Sequence, residues 1–135
     1  MSTVTYLTLE QILVIHEDQI ERYGGSSGIR DLSLLESATF RPQTTFSGKD
    51  LYETPIDKAS ALMHSLLMNH AFIDGNKRTA TVAMLVYLAQ NTIKITIKNK
   101  ELITTVLLIE KEKWNSKKIS EWLKTKTEKI TCSSL

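Results

Sequence analysis

Apolar residues recur at helical spacing along most of this chain. Leu9, Ile12, Leu13 and Ile20 line one face, and Thr8 with Gln11 forms a capping box just ahead of them. Gly24 and Gly25 stop that helix, and GGSSG is its loop. Asp31 or Ser33 starts a second short helix over Leu32, Leu34, Leu35 and Ala38, ended by Pro42. Residues 43–53, QTTFSGKDLYE, hold no clean period and read as a loop or short hairpin. Thr54 then caps a third helix with Pro55 at its first position, and Ile56, Ala59, Leu62, Met63, Leu66 and Leu67 carry it to about Asn69.

Asn76 is placed to cap a fourth helix from Lys77 to about Gln90, KRTATVAMLVYLAQ, apolar on nearly every face after its first turn. Such a helix belongs at the centre of a bundle. TIKITIK (92–98) alternates isoleucine with polar residues, the period-two pattern of a strand exposed on one side. Asn99 begins a helix carrying Leu102, Ile103, Val106 and Leu107. Ser116 begins a last one, with Ile119, Trp122 and Leu123 inward and lysines outward. No repeat, linker or low-complexity tract interrupts this order. The pattern predicts an all-α bundle forming one domain over residues 1–135, with at most a small β element.

Composition narrows the partners only a little. A net charge of +2 is too small to argue for nucleic acid or a membrane surface. Cys132 is the sole cysteine, so a disulfide framework is excluded and a reducing compartment is expected. The N-terminus lacks a signal-peptide layout and no apolar run reaches the ~18–20 residues of a membrane span, which predicts a cytoplasmic, soluble protein.

The densest polar cluster is NHAFIDGNKRTA (69–80), between the third and fourth helices. DGNKR therefore falls at the N-terminus of the central helix, where free backbone N–H groups and the positive end of the helix dipole favour anions. Gly75 permits a backbone that turns several N–H groups toward one point, and Lys77 and Arg78 add positive charge. Asp74 is a hard oxygen donor of the kind Mg²⁺ shares with a nucleotide. His70, with an intrinsic pKa near 6.5, suits removal of a proton from a hydroxyl. A base, a metal ligand and an anion hole within nine residues suggest phosphoryl or nucleotidyl transfer. Each residue also has an ordinary structural use: Asn76 as N-cap, Asp74 as a turn residue, Gly75 in a left-handed turn, Arg78 in an ion pair. Phe72 reads as a core plug that fixes the loop. His16 and His64 sit within helical patterns and are assigned no chemistry.

HAFIDGNKRTA resembles the signature of the Fic/Doc (Fido) superfamily, whose Fic branch reads H-P-F-x-[D/E]-G-N-G-R-x-x-R. Lys77 in place of the last motif glycine, and Thr81 in place of the second arginine, point to the Doc, or death-on-curing, branch. IERYGG, GIRD, LLESA with the RP after it, and YLAQN extend the resemblance over nearly the whole chain. It implies a compact Fido helical bundle, with a hairpin or flap that docks the target protein and for which residues 43–53 are available. At matching positions it implies His70 as general base and Asp74 as the Mg²⁺ ligand or the group orienting base and nucleotide. Gly75, Asn76 and Lys77 would form the anion hole, and Arg78 would neutralise the transferring phosphate.

The Doc branch implies a toxin that transfers the γ-phosphate of ATP, with Mg²⁺, to a threonine of elongation factor Tu, so blocking translation. A Phd-type antitoxin would fold over it. Two other readings stand beside this one: a Fic-type adenylyltransferase, which Lys77 and Thr81 disfavour, and an idle binding partner, which intact His70, Asp74, Asn76 and Arg78 disfavour. Self-inhibited Fic proteins carry a helix of pattern [S/T]-x-x-x-E-[G/N]. No glutamate of this sequence follows Ser or Thr by four residues. Restraint in trans is therefore expected, by an antitoxin segment disordered alone and helical when bound. The lysine-rich last helix, Lys113 to Lys129, reads as a solvated face, with contact to an acidic antitoxin or target as the sharper alternative.

Overall fold

Two helices that carry few polar residues inward make the centre, α3 (Pro55–Asn69) and α4 (Asn76–Gln90). In this computed structural model, which describes residues 4–130, they pack on each other with α1 (Leu9–Tyr23), α2 (Leu32–Phe40), α5 (Asn99–Glu112) and α6 (Ser116–Thr125) around them. Leu62, Met63, Leu66 and Leu67 of α3 meet Ala80, Ala83, Met84, Tyr87 and Leu88 of α4 in one core, closed by Ile12, Leu35, Val106, Ile109, Ile119 and Leu123. Small residues are what allow the central approach: Ala59, Ala61, Ala80 and Ala83 are fully buried.

The helix starts follow the sequence chemistry. Thr8 and Thr54 each complete a capping box, with Gln11 and Asp57 respectively, and Pro55 opens α3. Asp31, not Ser33, caps α2, and Asn115 caps α6. After Phe40 the chain tightens into a 3-10 turn, Arg41–Gln43, because Pro42 cannot continue an α-helix.

Residues 43–53 do hold a hairpin, β1 (Thr45–Phe46) against β2 (Lys49–Asp50), turning on Ser47 and Gly48, both at positive φ. Its anchor is Lys58, whose fully buried ammonium donates to the Pro42 carbonyl at 3.2 Å and to Asp50 at 3.1 Å. The expected strand over 92–98 is realised only at β3 (Ile93–Ile95), paired antiparallel with β4 (Thr127–Lys129). Left-handed Thr92 precedes that strand. The lysine-rich tract from 113 to 129 is thus not a single helix. Lys113 ends α5 in a left-handed conformation, and the tract then supplies α6 and β4. Cys132 lies outside the described residues. Among the described residues no helix is long and apolar enough to cross a membrane.

Candidate active site

The polar segment 69–80 connects α3 to α4, and the loop after α1 holds it in shape. Helix α3 ends on His70 in a left-handed conformation, φ 51° and ψ 52°, which non-glycine residues adopt infrequently and mostly at such ends. Arg30 braces that end: its Nε donates to the His70 carbonyl at 2.6 Å and its Nη2 to the Asn69 carbonyl at 2.8 Å. A cation there meets carbonyls that lack intrahelical partners and the negative end of the helix dipole. The Ala71 carbonyl accepts from the N–H groups of Arg30 and Asp31, and the Ile73 N–H donates to Gly28, so residues 28–31 run beside 71–73 as a short bridge.

Phe72 is the expected plug, buried and stacked on His16 with ring centroids 3.7 Å apart and planes 7° from parallel. His16 does more than fill space. Its Nε2–H donates to the Asp74 carbonyl at 2.8 Å, a bond that requires the proton on Nε2. The helical pattern of α1 concealed this role, since a histidine on an inward face carries no sequence signal of its partner.

Asn76 is not the N-cap of α4. Gly75 holds that position, left-handed at φ 76°, and Asn76 is the first helical residue. The Asn76 amide instead clasps the loop, its Oδ1 accepting the Phe72 N–H and its Nδ2 donating to the Phe72 carbonyl, both at 3.0 Å. Helix α4 has no side-chain cap at all. The backbone N–H groups of its first turn, from Asn76 onward, are therefore left for a ligand or solvent. A Cβ on Gly75 would lie 3.1 Å from Ile20 Cδ1 and 3.5 Å from Arg78 Nη2, so a side chain there would crowd this terminus.

Asp74 accepts the Gly75 N–H at 2.9 Å and the Ser26 N–H at 3.2 Å, one at each oxygen. These two bonds, from Ser26 and then Gly75, hold its carboxyl below the usual carboxylate range against a small opposing effect of burial, and the charge of Arg78 adds to them. The GGSSG loop makes this possible. A Cβ on Gly25 would sit 2.7 Å from Asp74 Oδ2. Arg78 reaches the same loop, donating to the Gly24 carbonyl at 2.9 Å and the Gln19 carbonyl at 3.4 Å over the ring of Tyr23. Among the described residues no carboxylate lies within ion-pair distance of it, and its guanidinium sits beside Gly75 at the α4 terminus.

Lys77 behaves differently. Its ammonium is 2.9 Å from Glu110 Oε1, and the other oxygen of Glu110 is 3.7 Å from His70 Nε2. Thr81 turns its hydroxyl back onto the Lys77 carbonyl at 2.8 Å. Beside Lys77, Arg78 and Thr81 opens a cleft of ≈ 440 Å³, walled by Tyr23, Leu85 and Leu102 among others.

The structure thus gathers His70, Asp74, Gly75, Asn76, Lys77 and Arg78 around one uncapped helix start, with Asn76 contributing its backbone and not its amide. The sequence missed His16, Ser26, Arg30 and Glu110. Among the described residues no three His, Cys, Asp or Glu side chains converge as a metal cage. Asp74 by itself is a low-pKa, exposed carboxylate with lone pairs to spare, which fits a Mg²⁺ ion shared with phosphates.

The site is thus an uncapped helix terminus with a histidine at the end of the preceding helix. The chain matches the Fic/DOC family over residues 6–88 and belongs to that family. Among its relatives, Toxin Doc of Mycolicibacterium smegmatis is 47% identical over 73 residues, 54% of this chain and 56% of that protein. Protein kinase doc of Escherichia phage P1 is 26% identical over 90 residues, 67% of this chain and 71% of that protein. The chain spans a little over half the length of the mycobacterial relative. Its place within the family is with the Doc branch.

Proposed function

We propose that this protein is a Doc-like toxin that transfers the γ-phosphate of ATP to a protein hydroxyl, with elongation factor Tu as the target and translation as the process blocked. The observation that carries the reading is the uncapped N-terminus of α4, with Arg78 unpaired beside it among the described residues and His70 one loop away. The name of the phage P1 relative, a protein kinase, supports phosphoryl transfer, and that of the mycobacterial relative supports a toxin.

In this reading the α4 N–H groups of Asn76, Lys77 and Arg78, preorganised by Gly75, hold phosphate oxygens in the field of the helix dipole. Arg78 balances the charge that spreads over the transferring group. Asp74 stays ionised and would hold Mg²⁺, which would supply Lewis-acid neutralisation of phosphate charge. His70 takes the proton of the target hydroxyl as its oxygen bonds to the γ-phosphorus, the bond from that phosphorus to the β-phosphate oxygen breaks, and ADP leaves. The cleft beside Lys77 and Arg78 has the size of small-molecule sites and offers room for the nucleoside. Which phosphate faces His70 depends on which end of ATP the terminus grips. Lys77 adds bulk at the loop, and the Thr81 hydroxyl, bonded back to the helix, offers no cation for the far phosphates. Both features favour presentation of the γ-phosphate over the α-phosphate. A separate Phd-like antitoxin would restrain the toxin, and neither nucleic acid nor membrane takes part.

The test is incubation of protein, Mg²⁺ and elongation factor Tu with ATP labelled at the α or the γ position. Label passing only from γ-labelled ATP, with a mass gain of one phosphate, is expected. His70→Ala should lower transfer by ~10²–10⁴-fold while leaving the circular dichroism unchanged. Transfer only from α-labelled ATP, with a mass gain of AMP, would replace this reading with adenylyl transfer.

A further inference from the structure

Glu110 lies in the last turn of α5, where a carboxylate faces the negative end of the helix dipole and is disfavoured by it. Its surroundings account for the placement. One carboxylate is hydrogen-bonded to Lys77 at 2.9 Å and lies 3.7 Å from Nε2 of the His70 ring, longer than a hydrogen bond but close enough to act on it through charge. The Glu110 side chain is only 25% exposed, against 54% for His70 and 49% for Lys77. The backbone beneath it is fixed as well: neighbouring Ile109 and Val106 are buried in the core, and the N–H groups of Lys113 and Trp114 close the helix end. Lys77 therefore presents its ammonium to a carboxylate and not to an open anion site.

We propose that Glu110 is a positioning residue for the reaction, setting a negative charge beside Nε2 of the His70 ring while Lys77 holds Glu110. Neutral imidazole carries one N–H and one lone pair. A carboxylate beside Nε2 favours the tautomer with its proton there and leaves the lone pair on Nδ1, the nitrogen that then accepts the proton of the attacking hydroxyl. The imidazolium formed by that transfer lies against a negative charge already in place, the way a carboxylate supports histidine in other hydroxyl-activating sites. The role of Lys77 shifts accordingly, from phosphate ligand to counter-ion of Glu110. A half-exposed ion pair adds little to stability, so its geometry makes better sense through the histidine it flanks. Residue 110 also lies beyond the part of the chain that matches the family, residues 6–88. This inference rests on His70 acting as the base, as in the phosphoryl-transfer reading.

The test pairs a spectroscopic with a kinetic measurement on the whole chain. The ¹⁵N signals of the ring nitrogens, at a pH where His70 is neutral, should show its proton on Nε2. That preference should be lost in Glu110→Ala, kept in part in Glu110→Gln, and kept in full in Glu128→Gln, which alters an exposed carboxylate paired with Lys94. With γ-labelled ATP and elongation factor Tu, Glu110→Ala should lower kcat roughly tenfold, short of the ~10²–10⁴ of a whole base. The KM for ATP should stay level or fall, because the ammonium of Lys77 is released. A His70 tautomer that is the same in wild type and Glu110→Ala overturns the inference, as does a wild-type kcat in that variant. A wild-type protein that shows the Nε2 proton but moves no label keeps Glu110 as the group that sets the ring's tautomer and overturns the phosphoryl-transfer reading instead.

Discussion

The two hydrogen bonds from the Asn76 amide to the Phe72 backbone make a prediction that separates shape from binding. Asn76→Ala leaves a buried N–H and a buried carbonyl without partners, at a cost of about 2–3 kcal/mol in unfolding free energy. Asn76→Asp keeps the acceptor for the Phe72 N–H and places a negative charge where the helix dipole welcomes it, but its second oxygen meets the Phe72 carbonyl that Nδ2 served, so it should also lose about 2–3 kcal/mol. The two variants separate on ligand. The aspartate variant should bind ATP more weakly than the alanine variant, since its charge repels phosphate at the α4 start. Urea unfolding and ATP titration of both variants check this, and equal ATP affinities would show that Asn76 acts on the site only through the fold. Residues like this explain the limits of the sequence reading. DGNKR marks a helix start and an anion site, but the spacing alone could not tell an N-cap asparagine from one that holds the residue four positions earlier. His16 and Glu110 were invisible for a plainer reason: both are brought to the motif by tertiary packing, across 58 and 33 residues of chain.

At the scale of elements, the signals that were legible were local ones. Capping boxes, the Thr54-Pro55 start and the glycine stop after α1 all fall where the side-chain chemistry puts them. The hairpin at 45–50 was ambiguous because each strand is two residues long and exposed on both faces, leaving no hydrophobic alternation to read. What fixes it is the ion pair to Lys58, and the two partners are not equivalent. The Lys58 ammonium is fully buried while Asp50 is 51% exposed. Asp50→Ala leaves a buried charge with only the Pro42 carbonyl and the face of the Tyr6 ring and should cost about 3 kcal/mol. Lys58→Met returns Asp50 to water and fills the same volume, so about 1 kcal/mol is expected. Denaturant unfolding of the two variants measures the difference directly. Equal losses would mean that the pair contributes through contact between its members and that the buried ammonium is not the costly half.

For the whole molecule, the helices around α3 are tied to it by groups whose protonation can be followed. Arg41 donates from Nη1 to His64 Nδ1 at 2.7 Å and to Ser65 at 2.8 Å, and from Nε to the Tyr52 hydroxyl at 2.9 Å, joining the 3-10 turn, the residues after the hairpin and α3. Its Nη2 reaches Ser116 at the start of α6. This arrangement needs His64 neutral, because Nδ1 must accept. Burial, and then the charge of Arg41, hold its pKa below the usual histidine value. Asp57 joins α3 to α6 from the other side, through Ser120 and Lys124. Burial would raise its pKa, but hydrogen bonds from Ser120 and Thr54 and the charge of Lys124 outweigh that and leave it below the usual range. Both shifts have the same sign for stability. Between the depressed folded value and the ordinary unfolded one, the unfolded chain binds more protons, so stability falls as pH falls. The His64 contribution is complete above about pH 6.5 and is lost as pH drops through its folded value. That of Asp57 is complete above about pH 4 and is lost below it. Urea midpoints measured from pH 8 to pH 3 should therefore decline in two stages. His64→Gln offers Arg41 a neutral acceptor that does not titrate, so it should remove the upper stage and leave the lower one. An upper stage that persists at full size in His64→Gln would assign it to another histidine and would break the proposed link between acid pH and the Arg41 clamp.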